Sequence, residues 1–310
     1  MNAIEIFGLE KTYLVGFWHK RPRVGLRPLT LSVPAGEIFG YLGPNGAGKT
    51  TTLRLLMGLI TPSGGSFRIL GGDIRDPKIR SQIGFLPEQP YFYDYLTGRE
   101  LLDYYGQLSG TSASDRKRRI DATLNRVGIA DAADVQLRKY SKGMLQRVGI
   151  AQAILHDPPL VFLDEPMSGL DPLGRHEVRE LIQQLKDEGK TVFFSTHILS
   201  DAEALCDRVA ILGKGELRGV GVVAELTARI SDNVEVIWHG SAAVPAMRAL
   251  AIEVHLTGDT ARATVPQSKV DAAIDAIRRS QARLTSINPI RTTLEDYFIE
   301  RLAEGVEVTR

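Results

Sequence analysis

The chain has 310 residues, which is too long for one small module and fits two domains of about 150 residues each. Lysine plus arginine total 38 and aspartate plus glutamate total 37, and this balance argues against a protein whose main task is to coat nucleic acid. Hydrophobic residues make up 43% and charged residues 24%, as in ordinary chains that bury a core. The one cysteine, Cys206, excludes an intrachain disulfide and a metal cage built from cysteines.

The apolar segments give no sign of a membrane anchor. No apolar run approaches the roughly 18 residues that a membrane-spanning helix needs. The start of the chain also lacks the apolar stretch that is typical of a signal peptide. We therefore expect that any action at a membrane goes through a partner.

The first sixty residues predict an α/β unit. Apolar patterns indicate strands over 3–9, 29–33 and 37–42. A glycine-rich turn follows the third strand, and a helix is predicted over 50–59. A strand, a glycine-rich turn and a helix in this order are typical of an α/β fold.

The segment from about 88 to 150 is predicted to be helical. Thr97, with Glu100 three residues later, matches the capping box at the start of a helix. The basic run over 116–119 falls in a second predicted helix, over 115–127, and is predicted to lie on its solvated face.

Strands then alternate with helices. An apolar strand over 160–163 precedes a helix that opens at Asp171 and Pro172 and ends at Gly189. A further strand is predicted over 191–195, and Ser200 with Glu203 matches a second capping box. This alternation predicts a largely parallel sheet.

The pattern changes after residue 216. Residues 217–230 are predicted to be a connector, and residues 231–310 a small second domain of the α+β class. Its predicted elements follow the order βαββαβ between residues 234 and 287, which is the ferredoxin-like arrangement. A last helix is predicted over 293–302.

The strongest motif is a glycine-rich phosphate loop with the spacing G-x-x-x-x-G-K-[ST]. Glycines let the backbone approach a phosphate closely, and the start of the following helix adds its positive dipole end. In such loops the lysine reaches the β- and γ-phosphates and the hydroxyl after it binds Mg²⁺. The motif alone leaves kinase, GTPase and ATPase open. Its residues are Gly43, Pro44, Asn45, Gly46, Ala47, Gly48, Lys49 and Thr50.

Two acids follow the buried strand over 160–163. Acids at the carboxyl end of a sheet strand lie in the crevice where ligands bind. Asp164 is therefore placed to hold Mg²⁺, directly or through water, and Glu165 to polarise an attacking water. The same pattern also fits an ordinary buried strand that ends in a solvated acidic pair.

Taken together in their order, the motifs resemble the nucleotide-binding subunit of an ATP-binding cassette (ABC) transporter, over about residues 3–216. The further members of the set are Tyr140–Ser141–Lys142–Gly143–Met144, Ser168–Gly169–Leu170–Asp171 and Thr196–His197. The resemblance implies a P-loop ATPase core with a parallel sheet, an antiparallel β layer and an inserted helical subdomain over about 88–150. Residues 1–216 are thus expected to form the ABC nucleotide-binding domain.

The resemblance also implies how ATP and Mg²⁺ are held. Tyr13 is expected to stack on adenine, and Thr51 extends the phosphate loop of residues 43–50 into the Walker A motif. Glu165 is expected to be the catalytic base and His197 the switch histidine. The expected Mg²⁺ contacts are Thr50, Asp164, and either Glu88 or Gln89, because Leu86–Pro87 is followed by a glutamate where the family usually has its glutamine.

A second cassette completes each ATP site in this family. The implied signature motif supplies Ser141, Lys142 and Gly143 to the γ-phosphate that is bound by another subunit, and the D-loop lies at the subunit contact. The signature departs from the commoner Leu-Ser-Gly-Gly-Gln, since Lys142 adds a cation. The implied D-loop residues are Ser168, Gly169, Leu170 and Asp171.

The departures resemble the ABC-2 class, which is rich in exporters. This implies an ATP hydrolase at the cytoplasmic face of the cell membrane that powers a separately encoded integral membrane permease, as two copies or with a sister cassette. No nucleic acid partner is expected. The alternative is a soluble ABC-type ATPase that acts on ribosomes or DNA, a class that typically fuses two cassettes or inserts a long coiled coil.

Three segments suggest surfaces for partners. The ring-rich stretch over 85–105 is predicted to bind a short permease helix, or else to form the core of the helical subdomain. Residues 15–27, with Trp18 and His19, are predicted to form an exposed hairpin loop or a basic and aromatic patch at a membrane surface. The domain over 231–310 is expected to be regulatory or to stabilise a dimer. The rings of the first stretch are Phe85, Tyr91, Phe92, Tyr93, Tyr95, Tyr104 and Tyr105.

Overall fold

The computed structural model describes residues 1–16, 20–228, 230–291 and 293–303, so Trp18 and His19 lie outside the described residues. The chain divides into two compact units. The core unit comprises Met1–Val223 with Arg301–Arg310, and the C-terminal unit comprises Ala224–Glu300. Across the described ranges, no helix is both long enough and apolar enough to cross a membrane.

Strands and helices alternate along the core unit. In chain order they are β1 (Asn2–Val15), β2 (Arg21–Pro34), β3 (Ile38–Leu42), α1 (Lys49–Leu56), β4 (Gly64–Ile69), α2 (Pro77–Arg80), β5 (Ile83–Leu86), α3 (Gly98–Leu108), α4 (Ala113–Arg126), α5 (Lys142–Ile154), β6 (Leu160–Asp164), α6 (Pro172–Asp187), β7 (Thr191–Thr196), α7 (Leu199–Leu205), β8 (Arg208–Gly213) and β9 (Glu216–Val222).

A six-stranded sheet with the order β5-β6-β7-β3-β8-β9 forms the centre of this unit. Its first five strands run parallel, and β9 pairs antiparallel with β8. Strands β3, β6 and β7 are buried along their whole length, as expected when both faces of a parallel sheet are covered. The ring of Phe193 stacks on Phe39 at 5.6 Å and contacts Phe162 at 5.4 Å between centroids, which fixes the three strands against one another.

Strand β9 occupies the first half of the segment that was predicted to be a connector. Residues 216–222 pair with β8 from Arg208 to Gly213, so they form an edge of the main sheet. A short helix, α8 (Val223–Thr227), follows directly. The sequence predicts strand ends and connector over 217–223, and the structure makes residues 217–222 an edge strand of the sheet rather than a free connector.

The antiparallel layer has the order β2-β1-β4. Strands β1 and β2 form a long hairpin that still pairs at Val15 and Arg21, so both strands extend well beyond the predicted ranges 3–9 and 29–33. Pairing across the hairpin, rather than a longer apolar pattern, accounts for the extra length.

Helices α3, α4 and α5 form the predicted helical segment. The Thr97 hydroxyl accepts a hydrogen bond from Glu100 N (3.2 Å) and the Glu100 carboxylate accepts one from Thr97 N (2.8 Å), which confirms the first capping box. In the basic run, Arg116 is half-buried and bound to Asp103 (2.5 Å), and the exposed Arg118 pairs with Asp115 (2.8 Å).

Helix α6 begins as predicted, whereas α7 does not. The Asp171 side chain accepts a hydrogen bond from Gly174 N at 2.7 Å, with Pro172 in the first turn. Helix α7 already begins at Leu199, and its capping residue Ile198 has no side-chain cap. The second capping box, at Ser200, is therefore wrong, because Thr196 Oγ1 accepts a hydrogen bond from Ile198 N (3.0 Å) and turns the chain earlier.

The C-terminal unit has the predicted βαββαβ order and an antiparallel sheet with the order β11-β12-β10-β13. Trp238, Met247 and Ile277 are fully buried between this sheet and its helices. Each unit therefore has its own core. The elements are β10 (Ile230–His239), α9 (Val244–Arg248), β11 (Glu253–Thr257), β12 (Thr260–Pro266), α10 (Val270–Arg279), β13 (Arg283–Arg291) and α11 (Leu294–Ala303).

Candidate functional site

The loop between β3 and α1 needs glycine for steric reasons. Gly48 has φ +107°, and a Cβ there would lie 2.7 Å from the carbonyl oxygen of Gly25. A Cβ on Gly43 would lie 2.6 Å from the carbonyl oxygen of Leu212. No side chain caps the N-terminus of α1, whose capping residue is Gly48. The loop can therefore present backbone N–H groups and the positive end of the helix dipole to an anion.

Lys49 is the buried cation of this loop. It is 6% exposed, and its Nζ donates a hydrogen bond to the carbonyl oxygen of Gly43 at 2.7 Å. The same Nζ lies 3.3 Å from Glu165 Oε1, and that carboxylate is equally buried. Each charge thus compensates the desolvation of the other, which a buried ion pair requires.

Asp164 ends β6 in a cluster of oxygen atoms. Its Oδ1 accepts a hydrogen bond from Ser195 Oγ at 2.5 Å. Burial raises the pKa of Asp164, the Ser195 and Thr50 hydrogen bonds oppose that rise, and the charges of Glu88 and Glu165 add to it. A cation at this point would relieve the repulsion between these carboxylates.

Glu165 follows in a strained backbone conformation. Its φ of +52° lies in the left-handed region, which costs a residue with a side chain about 1–2 kcal/mol. The backbone is held there by hydrogen bonds from Glu165 N to Ser195 O (3.1 Å) and Ser195 Oγ (3.2 Å). The carboxylate Oε2 lies 2.9 Å from Nδ1 of His197, which follows β7. Strain of this kind is retained where function needs a side chain aimed in one direction.

A cleft of about 710 Å³ lies against the phosphate loop and Glu165. Tyr13 lies at the hairpin end, with its hydroxyl 3.4 Å from Thr51 Oγ1. Glu88 lines the cleft, whereas Gln89 does not belong to its lining. The described residues that line it are 13–16, 23–25, 44–51, Glu88 and Glu165.

The predicted signature and D-loop residues lie together, but outside this lining. Ser141 caps α5, since its hydroxyl accepts a hydrogen bond from Met144 N at 3.2 Å. The Lys142 ammonium lies against Gly169, and a Cβ on Gly143 would contact Leu170 at 3.8 Å. The predicted site residues therefore form two groups in one copy of the chain.

Sequence reasoning did not assign two residues to the site. Ser195 is fully buried and bonds both Asp164 and the backbone of Glu165. Its sequence signal is a hydroxyl at the end of an apolar strand, directly before Thr196 and His197. Arg23 lines the cleft and pairs across the hairpin with Tyr13, a register that the sequence pattern does not give.

Comparisons with known proteins agree with this geometry. A family model described as ABC transporter matches residues 26–168. An ABC transporter ATP-binding protein of Synechocystis sp. is 48% identical over 305 residues, which cover 98% of this chain and 85% of the relative. The daunorubicin/doxorubicin resistance ATP-binding protein DrrA of Streptomyces peucetius is 35% identical, over 95% of this chain and 87% of that protein. The dimeric structure of an ATP-binding cassette in a post-hydrolysis state, bound to ADP and Pi, is 26% identical, with a TM-score of 0.65, over 71% of this chain and 98% of that one.

We expect Gly48→Ala to weaken ATP binding by about 10-fold or more, which corresponds to about 1.4 kcal/mol. The added Cβ would collide with the Gly25 carbonyl and push the phosphate loop out of shape. Titration with a fluorescent ATP analogue measures the affinity. Gly36→Ala is the matched control, because Gly36 also has a positive φ (+78°) but has open space around it and lies outside the cleft lining. Equal loss of affinity in both variants would contradict the prediction.

Proposed function

Because the chain belongs to the family of ABC transporter ATP-binding proteins and is an ATP hydrolase, we propose that two copies close over ATP and drive a separately encoded membrane permease. The observation that carries the proposal is the division of the predicted site residues into a nucleotide cleft and a separate signature surface in one chain. In this proposal, the cleft of one chain binds ATP, and hydrolysis requires the signature surface of a second chain.

Glu165 is the general base in this proposal. It accepts a proton from the water whose oxygen attacks the γ-phosphorus, while the bond from that phosphorus to the β-phosphate oxygen breaks and ADP leaves. The contact of Glu165 with Nδ1 of His197 at 2.9 Å supports the role, because it fixes the direction of the carboxylate. Bound phosphates would draw Lys49 away from Glu165, which frees the carboxylate to take the proton.

Thr50, Asp164 and Glu88 would hold Mg²⁺. All three offer oxygen, which this hard cation prefers, and the mutual repulsion of the Glu88 and Asp164 carboxylates fits a cation between them. Within the described residues, no group of three or more His, Cys, Asp or Glu side chains is arranged as a complete metal site, so phosphate oxygens would supply the remaining ligands. Mg²⁺ would neutralise part of the negative charge on the β- and γ-phosphates. Glu88 is preferred over Gln89 because only Glu88 lines the cleft.

Three residues near the hairpin form the proposed contact with adenine. Tyr13 stacks on adenine in the proposed complex, and its place in the cleft lining, with its hydroxyl 3.4 Å from Thr51 Oγ1 of the phosphate loop, supports this. The Lys11 ammonium, 5.4 Å from the centre of the Tyr13 ring, covers part of that ring. Arg23 adds positive charge on the neighbouring strand.

The second copy supplies Ser141, Lys142 and Gly143 to the γ-phosphate in this proposal. Their position on a shared surface with the D-loop residues Gly169 and Leu170 supports it, as does the dimeric state of the related cassette. ATP then holds two chains together. Loss of the γ-phosphate weakens the dimer, because it removes the negative charge to which hydrogen-bond donors of both chains were bound.

Glu165→Gln should cut ATP turnover by about 10²–10⁴-fold, the usual contribution of a general base. ATP binding should persist, because the amide is isosteric and the phosphate loop is untouched. The variant should then remain dimeric in Mg-ATP, which light scattering after size-exclusion chromatography detects. Glu180→Gln is the control, since Glu180 is a surface residue of α6 outside the cleft lining. Wild-type turnover in Glu165→Gln would exclude the base assignment.

An exposed tyrosine cluster is the proposed permease contact. Tyr91 is 96% exposed and Tyr95 61%, while Tyr93 contacts the rings of Tyr95 and Tyr104 at 5.8 and 6.1 Å between centroids. Only part of the ring-rich stretch enters the interior: Phe92 packs against Gly149. Exposed clustered aromatic residues are typical of interaction surfaces. This favours docking over the alternative of a subdomain core.

The proposed setting is the cytoplasmic face of the cell membrane, where the chain is bound through the permease. Export is the proposed direction, supported by the name of the drug-resistance relative in Streptomyces peucetius. The C-terminal unit is proposed to be an accessory domain that regulates or stabilises the dimer, which its own buried core supports.

Tyr91→Ala with Tyr93→Ala should reduce co-purification of an integral membrane protein from solubilised membranes by about 10-fold or more, because anchor residues of an interface contribute about 2 kcal/mol or more each. The ATPase activity of the purified chain should stay near that of the wild type, since neither ring lines the cleft. Phe7→Ala removes a ring of the antiparallel layer that is about as exposed as Tyr93 and is the control. Unchanged recovery of the membrane protein, or recovery of ribosomes or DNA in its place, would contradict the proposed contact. Arg99 also lies in this stretch, but its side chain is bound to Asp121 and Asp134, so replacing it would disturb the helical segment as well as any contact with a partner.

A further inference from the structure

A buried carboxylate that hydrolysis does not directly use lies in the helix that follows the switch histidine. Asp201, in α7, is 3% exposed and follows His197 by four residues. Its Oδ1 lies 3.9 Å from Nη1 of Arg179, on α6. Burial raises the pKa of Asp201, and the nearby positive charges of Arg175, Arg179 and His197 oppose that rise. Asp201 thus pairs with α6 through Arg179, and Arg175 lies one helical turn before Arg179 on the same face of α6.

The histidine before α7 and an arginine of α6 each contact another part of the proposed site. On one side, Nδ1 of His197 lies 2.9 Å from Glu165 Oε2. On the other side, Arg175 Nε donates a hydrogen bond to the carbonyl oxygen of Leu170 at 3.2 Å. Asp201 therefore joins the helix that follows the histidine in contact with the proposed base to the helix whose Arg175 holds the segment 168–171.

A contribution to the stability of the fold does not explain why a carboxylate is buried at this position. Among the described residues, Asp201 Oδ2 and Arg179 Nε are buried and have no hydrogen-bond partner. A buried charge that is only loosely paired costs more than an apolar residue of similar size would. An under-satisfied ionic group next to reacting groups is more often retained for its effect on their positions.

We infer that Asp201 is a positioning residue for ATP hydrolysis, whose carboxylate keeps His197 and Arg175 in fixed relation and so couples the Glu165 base to the segment 168–171. The inference rests on the proposed roles of Glu165 and His197. Without the negative charge, Arg175 and Arg179 repel each other and the histidine, and the ring of His197 leaves its position against Glu165. The signature residues then lose their mechanical link to the base of the same chain, because Lys142 lies against Gly169 in that segment.

The first measurement compares Asp201→Asn with the wild type in steady-state ATP hydrolysis by the full chain. The variant keeps the shape of the side chain and removes its charge. We expect kcat to fall by about 10- to 100-fold, as small displacements of reacting groups do. We expect KM for Mg-ATP to stay within about 2-fold, because the residue lies outside the cleft lining.

Asp207→Asn is the matched control. Asp207 also pairs with a cation of α6, Lys186, at 2.6 Å, and accepts a hydrogen bond from Ile38 N at 2.9 Å. It does not line the cleft. Its loss should lower the melting temperature and leave kcat unchanged, which separates weakened packing from lost positioning.

A double-mutant cycle with His197→Ala tests the route of the effect. If Asp201 acts through His197, the double variant has the same kcat as His197→Ala alone, because the second change has nothing further to displace. If the double variant loses the product of the two single-variant losses in kcat, or if Asp201→Asn keeps the wild-type kcat, the inference is overturned. Wild-type kcat in His197→Ala instead refutes the proposed role of His197 itself. If Asp201→Asn does not fold, Arg175→Gln, at a half-buried site, replaces it in the cycle. Multiplication of its loss in kcat with that of His197→Ala, or a wild-type kcat in Arg175→Gln, then overturns the inference.

Discussion

A lysine and a glutamate buried against each other make the rest of this site possible. Lys49 and Glu165 are each nearly inaccessible to water and lie 3.3 Å apart, so neither charge would be tolerated there alone. Strands β3 and β6 end at the same edge of the sheet on either side of β7, which itself contributes Ser195 and leads to His197. Phosphate, water and base can meet at this edge because three neighbouring parallel strands stop there together.

The same geometry supports the proposal that one copy is incomplete. The phosphate loop, Glu88 and Glu165 line the cleft, while Ser141 and Lys142 begin α5 beside the predicted D-loop. In the proposed cycle, one chain binds ATP and the site becomes active only when two surfaces meet, so that nucleotide chemistry is converted into association and separation of cassettes. The aromatic contacts of Phe193 pack β3, β6 and β7 against one another beneath the groups at this edge.

Most of the fold followed from the sequence, because local patterns determine it. The glycine spacing of residues 43–50, the fully apolar strand over 160–163 and the caps at Thr97 and Asp171 are all short-range signals. The failures depend on pairing between distant segments. Strand β9 forms because β8 accepts it, and Ser195 reaches Asp164 through the register of two parallel strands. The choice of Glu88 over Gln89 likewise depends on which side chain faces the cleft, which spacing alone does not give.

The claim that each ATP is held by two chains is tested most directly by complementation between two inactive variants. Lys49→Ala disables the phosphate loop, and Ser141→Arg disables the signature, so each protein alone should hydrolyse ATP at background rate. In a mixed dimer, the intact loop of one chain meets the intact signature of the other. The account predicts that an equimolar mixture regains ATPase activity, with a dependence on mixing ratio that peaks near equality. A mixture that stays as inactive as its components, at concentrations where the wild type is dimeric in Mg-ATP, would contradict it.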